Sequence, residues 1–580
     1  MLFSALLILS LHVTRAAALW PRPRSLSTGS SFIRLGDSFE VVAEQGELAK
    51  ELERRLAKAI ARTSRHLQHD RLRRLTPDRG ESDRPQVENA PILSRLFLSL
   101  NSTVVGTLED EVVNLYTLDE SYSLSVPAAT DATSPTASAH LSARTLVGLL
   151  RGLETFTQLI YFLPAADDAL DGLRYIANVP LRIEDRPAFP YRGFMLDTAR
   201  NWYPIEDILR TLDTMASTKV NTFHWHITDQ QSFPLEIPTF PDLATFGAYS
   251  ADRIYSTVDV AKVVEYGQDL GIAVMLEVDM PGHTASIANA YPEHIACLDA
   301  RPWSTYAAEP PAGQLRLGRP DTLAFSKRVL QDAAKLSSSA FFSSGGDEVN
   351  KRCYLDDPET SAALESRNST VDELLDEFVR GLHETLVESN KTPVVWEELV
   401  LKHDLSLAKE TVVMVWIDSA NVRAVADKGH RIIHAASHYF YLDCGAGAWL
   451  GRYANGTSWC DPFKTWSKSY SFDPLFNLTR EQHELVLGGE ALLWSEQAGP
   501  ETLDSIAWRV WLVLPRSPRA AAAAEVFWTG GSVTEGERSV GEALPRLHDW
   551  RYRAVQRGVK AIPLQPHWCA LRPGQCDVEL

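Results

Sequence analysis

Ala340-Phe341-Phe342-Ser343-Ser344-Gly345-Gly346-Asp347-Glu348-Val349-Asn350 is a short apolar run that breaks off into two glycines and two adjacent carboxylates. It reads as a buried strand delivering acidic groups at its C-terminal end. Seven further runs of the same kind occur: Arg192–Thr198, Val220–Thr228, Gly271–Asp279, Pro393–Glu398, Thr411–Ile417, Arg431–Ser437 and Leu485–Trp494. Helix-prone segments separate most of them, among them Pro204–Thr218, Val258–Leu270, Thr322–Leu336 and Val371–Ser389. Eight β–α units over about 390 residues predict an α/β chain with a (β/α)8 TIM barrel. A doubly wound sheet would ordinarily carry a glycine-rich phosphate turn after its first strand, and none is present.

The composition changes at Asp185-Arg186-Pro187, which places the barrel at 185–580 and a smaller α+β domain at 19–184. In that domain, Glu47–Arg74 is charged and helix-prone and reads as a solvated helix face. Segments 93–99 and 110–126 alternate like strands, and 127–139 reads as a surface loop. Ser142–Phe162 has helical spacing and stops before Pro164.

Leu2–Leu11 is an apolar core too short for the ~20 residues of a membrane span. Ala16-Ala17-Ala18 follows, so residues 1–18 read as a signal peptide and the protein as secreted, with cell wall or vacuole as alternative destinations. The net charge of −18 argues against nucleic acid or an anionic membrane surface as partner. Six cysteines in a secreted chain suggest three disulfides. Cys444 and Cys460 bracket one loop, Cys569 and Cys576 close another, and Cys297 and Cys353 remain. No Cys or His spacing resembles a zinc site, and the reading needs no cofactor or metal. Asn101, Asn368, Asn390, Asn455 and Asn477 lie in glycosylation sequons.

In such a barrel the C-terminal strand ends converge on one site. In order they supply Asp197 and Arg200; His224, His226 and Asp229; Glu277, Asp279 and His283; and Asp347 and Glu348. The later units add Trp396, Glu397 and Glu398; Trp416; Tyr441 and Asp443; and Trp494 and Glu496. Carboxylates, one arginine and several aromatic rings describe a sugar pocket, with rings for apolar sugar faces and acids for hydroxyls. Adjacent strand residues point to opposite faces, so Asp347 and Glu348 should not flank a glycosidic bond as acid and nucleophile.

With these motifs the chain resembles glycoside hydrolase family 20, and within it the secreted fungal β-N-acetylhexosaminidases. The resemblance rests on Arg192–Arg200, His224–Asp229, Pro281-Gly282-His283, Gly345–Glu348, Trp396–Glu398, Tyr441–Asp443 and Gly489–Glu496. It extends to Arg151–Phe156 in the N-terminal domain. It implies substrate-assisted retention, an exception to the two-carboxylate rule. In that mechanism the 2-acetamido oxygen attacks C1, Glu348 is acid and then base, Asp347 orients the acetamido N–H, and Tyr441 bonds its carbonyl. Asp229 and His283 match a polar network behind the acid, and Arg200, Asp443 and Glu496 match groups that hold hydroxyls. Trp396, Trp416 and Trp494 match the aromatic walls. His224, His226, Glu277 and Asp279 read as barrel packing or support. The implied substrates are chitin oligosaccharides or N-acetylhexosamine-terminated glycans, attacked from the non-reducing end. A homodimer and propeptide cleavage near Arg71–Arg74 are further implications. The competing readings are release of a disaccharide or transglycosylation, a binding protein on an inactive barrel, and a metal-dependent hydrolase.

Overall fold

A computed structural model describes residues 18–578 except 45–49, 102–106, 129–135, 166–171 and 508–518. The expected signal peptide therefore lies almost wholly outside the described residues.

The N-terminal domain is a six-stranded sheet of β1 (Ser25–Ala43), β2 (Ile92–Leu100), β3 (Tyr122–Val126), β4 (Thr136–Ala143), β5 (Ile160–Leu163) and β6 (Leu173–Asp185). Its order is β1-β2-β4-β3-β6-β5, and β1 also pairs with β6. Several elements differ from the expectation. Residues 110–126 do not form a single strand: Leu108–Val113 is a helix, closed by a capping box between Thr107 and Asp110. The loop expected over 127–139 gives way to β4 at Thr136. The helix expected over Ser142–Phe162 covers Leu146–Gln158, with Thr145 as its cap, and β5 follows at once. All thirteen residues of that helix are buried, because it is packed between the sheet and the barrel.

The charged helix Lys50–His69 is not wholly solvated: Arg55 and Lys58 both grip Asp269 of the barrel. Around Arg71–Arg74 the chain is tied down. Leu72 is buried and its carbonyl accepts from the Phe162 N–H at 2.8 Å, while Arg74 clasps Asp83.

The barrel closes from β7 (Tyr191–Asp197), β8 (Thr222–Thr228), β9 (Ala273–Val278), β10 (Phe341–Ser343), β11 (Thr392–Trp396), β12 (Val412–Val415), β13 (Arg431–His434) and β14 (Val486–Leu493). Every expected strand run overlaps one of them. All pairings are parallel, and β14 returns to β7 from Gly488↔Tyr191 to Leu493↔Leu196. Outer helices begin on capping boxes where the sequence supplies them, Ser256 with Asp259 and Thr370 with Glu373.

The two domains share a buried ionic floor. Glu120 accepts from Arg151 and Arg192, and Lys219 pairs with Asp185 at 2.9 Å. Disulfides join Cys297–Cys353, Cys444–Cys460 and Cys569–Cys576, as the cysteine positions suggested. All five sequon asparagines are exposed. Among the described residues no helix is long and apolar enough to cross a membrane.

Candidate active site

The adjacency of the acid pair is resolved by backbone geometry. β10 ends at Ser343, and Gly345 and Gly346 follow with φ of +64° and +92°. A Cβ at Gly345 would come within 2.0 Å of Asp279 Oδ1, and one at Gly346 within 2.4 Å of Leu399 Cδ1. Only glycine supplies both the conformation and the space. Glu348 itself has φ 51°, a left-handed conformation uncommon outside glycine. The pair therefore leaves strand alternation, and both carboxylates approach one imidazole. His283 Nε2 lies 3.3 Å from Glu348 Oε2 and 3.7 Å from Asp347 Oδ2. Asp347 is buried, whereas the Glu348 side chain is 31% exposed and can reach a bound molecule.

Behind His283 stands a dense polar network. Its Nδ1 is 3.1 Å from Asp229 Oδ1, and Asp229 Oδ2 forms an ion pair with Arg200 at 2.8 Å. Burial opposes the charge on His283, but Asp229 and Asp347 outweigh it and hold its pKa well above the ordinary value. Burial likewise works against the Asp229 carboxylate, yet Arg200 and His283 keep its pKa well below the usual range. Asp279 and Asp347 form a close acidic pair. Burial and then the charge of Asp347 push Asp279 far up, and burial raises Asp347 as well. One proton shared between them fits this pair.

The aromatic residues build the walls. Trp396 and Trp494 are 6.1 Å apart between ring centroids, Tyr441 is 6.1 Å from Trp494, and Trp416 stacks on Tyr441 at 6.1 Å. Trp416 Nε1 donates to Glu398 Oε2 at 2.8 Å. Burial pushes Glu398 up to about 8 and both Glu397 and Asp443 up to about 7. Glu496 rises well above the carboxylate range, by burial, against the pull of Arg200. A neutral carboxyl can donate a hydrogen bond as well as accept one, which suits recognition of hydroxyls.

Arg200 sits deep, 5.0 Å over the Trp494 ring, with Asp197 and Glu309 on its other sides. Glu309 escaped the sequence reading because it lies in a Pro-rich connection between β9 and β10, away from any strand end. Trp459 escaped it too. It is 65% exposed beside the Cys444–Cys460 bridge, edge-on to Trp416 at 5.4 Å and to Tyr441 at 5.7 Å. His226 is also tied directly to Asp229, with Glu277 on its other nitrogen, and the spacing of two histidines two positions apart on a strand was the available signal.

Two groups among the described residues have metal-like spacing. Asp279, His283 and Asp347 place donor atoms within 4.8 Å of one another, but they are the acid pair and its histidine. The other is Asp443 with Cys444 and Cys460, whose sulfurs are joined in a disulfide.

Residues 189–531 match the family model of the glycosyl hydrolase family 20 catalytic domain, and 19–159 match a model described as β-acetyl hexosaminidase like. A β-hexosaminidase of Arthroderma benhamiae is 36% identical over 76% of this chain and 72% of its own length. A chitooligosaccharidolytic β-N-acetylglucosaminidase of Ostrinia furnacalis is 35% identical over 79% of this chain and 75% of its own. Among solved structures, a chitobiase of Flavobacterium johnsoniae superposes with a TM-score of 0.72 at 25% identity, covering 94% of this chain and 74% of that one.

Proposed function

The chain belongs to glycosyl hydrolase family 20, and from that premise we propose that it is an exo-acting, retaining β-N-acetylhexosaminidase working by substrate assistance. The observation that carries this reading is the unequal pair: Glu348 is part exposed, while Asp347 is held back in the wall beside Asp279. A carboxylate held there suits an orienting partner for a substrate N–H better than a nucleophile that must reach C1.

In the first step the acetamido carbonyl oxygen attacks C1 as the C1–O bond to the leaving group breaks. Glu348 gives its proton to the departing oxygen, and Asp347 balances the positive charge gathering on the acetamido nitrogen. In the second step Glu348 takes a proton from water, which adds to C1 and reopens the oxazolinium ring with net retention. Tyr441 donates to the carbonyl oxygen and fixes its line of attack. Trp396, Trp416 and Trp494 enclose the sugar and the acetamido methyl, while Arg200, Asp443 and Glu496 hold the outer hydroxyls. The deep, buried Arg200 supports a pocket that closes on a terminal residue.

The substrates under this reading are chitin oligosaccharides or glycans ending in β-linked N-acetylglucosamine or N-acetylgalactosamine. Three disulfides and five exposed sequons support secretion. Hydrolysis of chromogenic β-glycosides of N-acetylglucosamine and of glucose tests the reading. Cleavage of the first alone is expected, and equal cleavage of both overturns substrate assistance.

A further inference from the structure

Behind the acid lies an alternation of carboxylates and imidazoles that runs back through the barrel. Tyr191, the first residue of β7, donates to Glu490 Oε2 at 2.6 Å. Glu490 Oε1 is 3.0 Å from His224 Nδ1, and His224 Nε2 is 3.0 Å from Glu277 Oε2. Glu277 Oε1 is 2.5 Å from His226 Nδ1, and His226 Nε2 is 2.6 Å from Asp229 Oδ2. Asp229 Oδ1 then meets His283 Nδ1 at 3.1 Å, and His283 Nε2 ends the chain facing Glu348 Oε2 at 3.3 Å, an ion pair off hydrogen-bond alignment. His224 and His226 share the inner face of β8 because strand side chains alternate. Glu490, His224, Glu277, His226 and Asp229 are all at most 1% exposed.

This geometry restricts the protons. A neutral imidazole has one N–H and one lone pair. Each of these three rings meets a carboxylate oxygen at both nitrogens, so a neutral ring would aim its lone pair at a carboxylate. With Glu490, Glu277 and Asp229 ionised, the ring-to-carboxylate contacts are donor to acceptor when the three rings are imidazoliums, while Arg200 stands 3.4 Å from His226 Nε2 and from His283 Nδ1. Positive rings and negative carboxylates then alternate inside the barrel, with the Arg200 guanidinium also paired to Asp229, and this pairing is what makes their burial tolerable.

We propose that Glu277 is a positioning residue for the reaction: by holding His226 and His224 as imidazoliums it fixes Asp229 as an acceptor and keeps the Nε2–H of His283 facing Glu348. His283 then steadies the Glu348 carboxylate formed when the leaving group takes its proton. No proton needs to travel along the chain; its charge order alone sets the environment of the acid. The groups that face Glu277 are His224 and His226 from β8, Ser343 from β10 and Trp396 Nε1 from β11. The acidic groups Asp279 and Asp347 add like-charge pressure from farther off. In agreement, burial lowers His224 and His226, but the carboxylates outweigh it and push them up to about 10 and about 9.

The inference rests on the hydrolase reading above, so its test has one readout that needs no activity. In the full-length protein with nitrogen-15 labelled histidines, NMR at pH 8 should show three rings protonated on both nitrogens, where an unpaired histidine is neutral. Glu277→Gln should remove at least one of them. On a chromogenic N-acetylglucosaminide the variant's kcat should fall about tenfold or more with KM within about twofold, part of the ~10²–10⁴ that acid–base catalysis contributes. The basic limb of its pH profile should also move towards acid. Neutral rings in the unaltered protein overturn the proposal even if the variant does not fold. An unshifted profile with unchanged kcat in a folded Glu277→Gln protein overturns it as well. Failure of the unaltered protein to cleave the substrate would count against the hydrolase reading alone.

Discussion

The floor and the mouth of the barrel both bury charge, but they treat it differently. At the floor Glu120 accepts from Arg151, twice from Arg192 and from Asn221, and Lys219 donates to both Asp185 and Tyr122. At the mouth His283 Nε2, Asp443 Oδ1 and Arg200 Nε are buried with no hydrogen-bond partner. Native interiors rarely leave polar atoms in that state, so a cluster of them calls for an explanation. The floor joins two domains and satisfies its charges for good, whereas the mouth keeps its hydrogen-bonding capacity for a molecule that comes and goes. A functional site held this way costs stability, which a substitution can return.

This contrast yields predictions of opposite character at the two ends. At the mouth, Glu348→Gln should lower kcat by roughly 10²–10⁴-fold while leaving KM and the melting temperature nearly unchanged. Equal losses in affinity and turnover, read by steady-state kinetics, would remove Glu348 from the acid role. Asp347→Asn should cost about 10²–10³-fold in kcat and weaken binding of oxazoline-like inhibitors, a loss of electrostatic stabilisation. The same change should raise unfolding stability by about 0.5–2 kcal/mol, because it dissolves a buried acidic pair. Thermal unfolding that shows destabilisation instead would break the contrast.

At the floor the order reverses. Glu120→Gln should destabilise the protein by about 3–5 kcal/mol, since it leaves Arg151 and Arg192 buried without their carboxylate. The kcat of the molecules that remain folded should not change. Denaturant unfolding combined with active-site titration separates the two effects.

The most gradual effect is that of pH on stability. His224 and His226 have folded-state values raised to about 10 and about 9, so their contribution is complete below the ordinary value of ~6.5 and is lost as pH climbs through 9 and 10. Glu398, Glu397 and Asp443, raised to about 8, 7 and 7, act in the same direction, from ~4.3 upward for the glutamates and ~3.9 for the aspartate. Asp229, held low, contributes above its ordinary value of ~3.9 and loses that contribution in stronger acid. Stability should therefore peak in mild acid and decline by several kcal/mol towards pH 10. A melting temperature that rises between pH 5 and 9 would contradict these assignments.

How far the sequence could be read follows the same division. The barrel strands were legible because parallel strands covered on both faces are short apolar runs, and each ends in the polar groups it delivers. The N-terminal sheet was less so. β1 is nineteen residues long and largely polar, buried at only a few positions, so no periodicity announces it. Residues 110–126 alternate like a strand, yet the Thr107–Asp110 capping box makes Leu108–Val113 a helix. At the site, residues at strand ends were within reach, while Glu309 and Trp459 are brought in by connections whose path only the fold determines. His224, His226 and Glu277 were visible as residues but read as packing, because charge alternation between different strands appears only once register pairs His226 with Glu277.

The proposed nucleophile is the substrate's own acetamido oxygen. Its most direct test is kcat/KM across chromogenic β-glucosaminides whose N-acyl group carries zero, one, two or three fluorines. Each fluorine weakens the carbonyl oxygen as a nucleophile while changing the size of the group little. Substrate assistance predicts a steep, monotonic fall with fluorination. A flat series would mean that a protein group attacks C1 and would contradict the account.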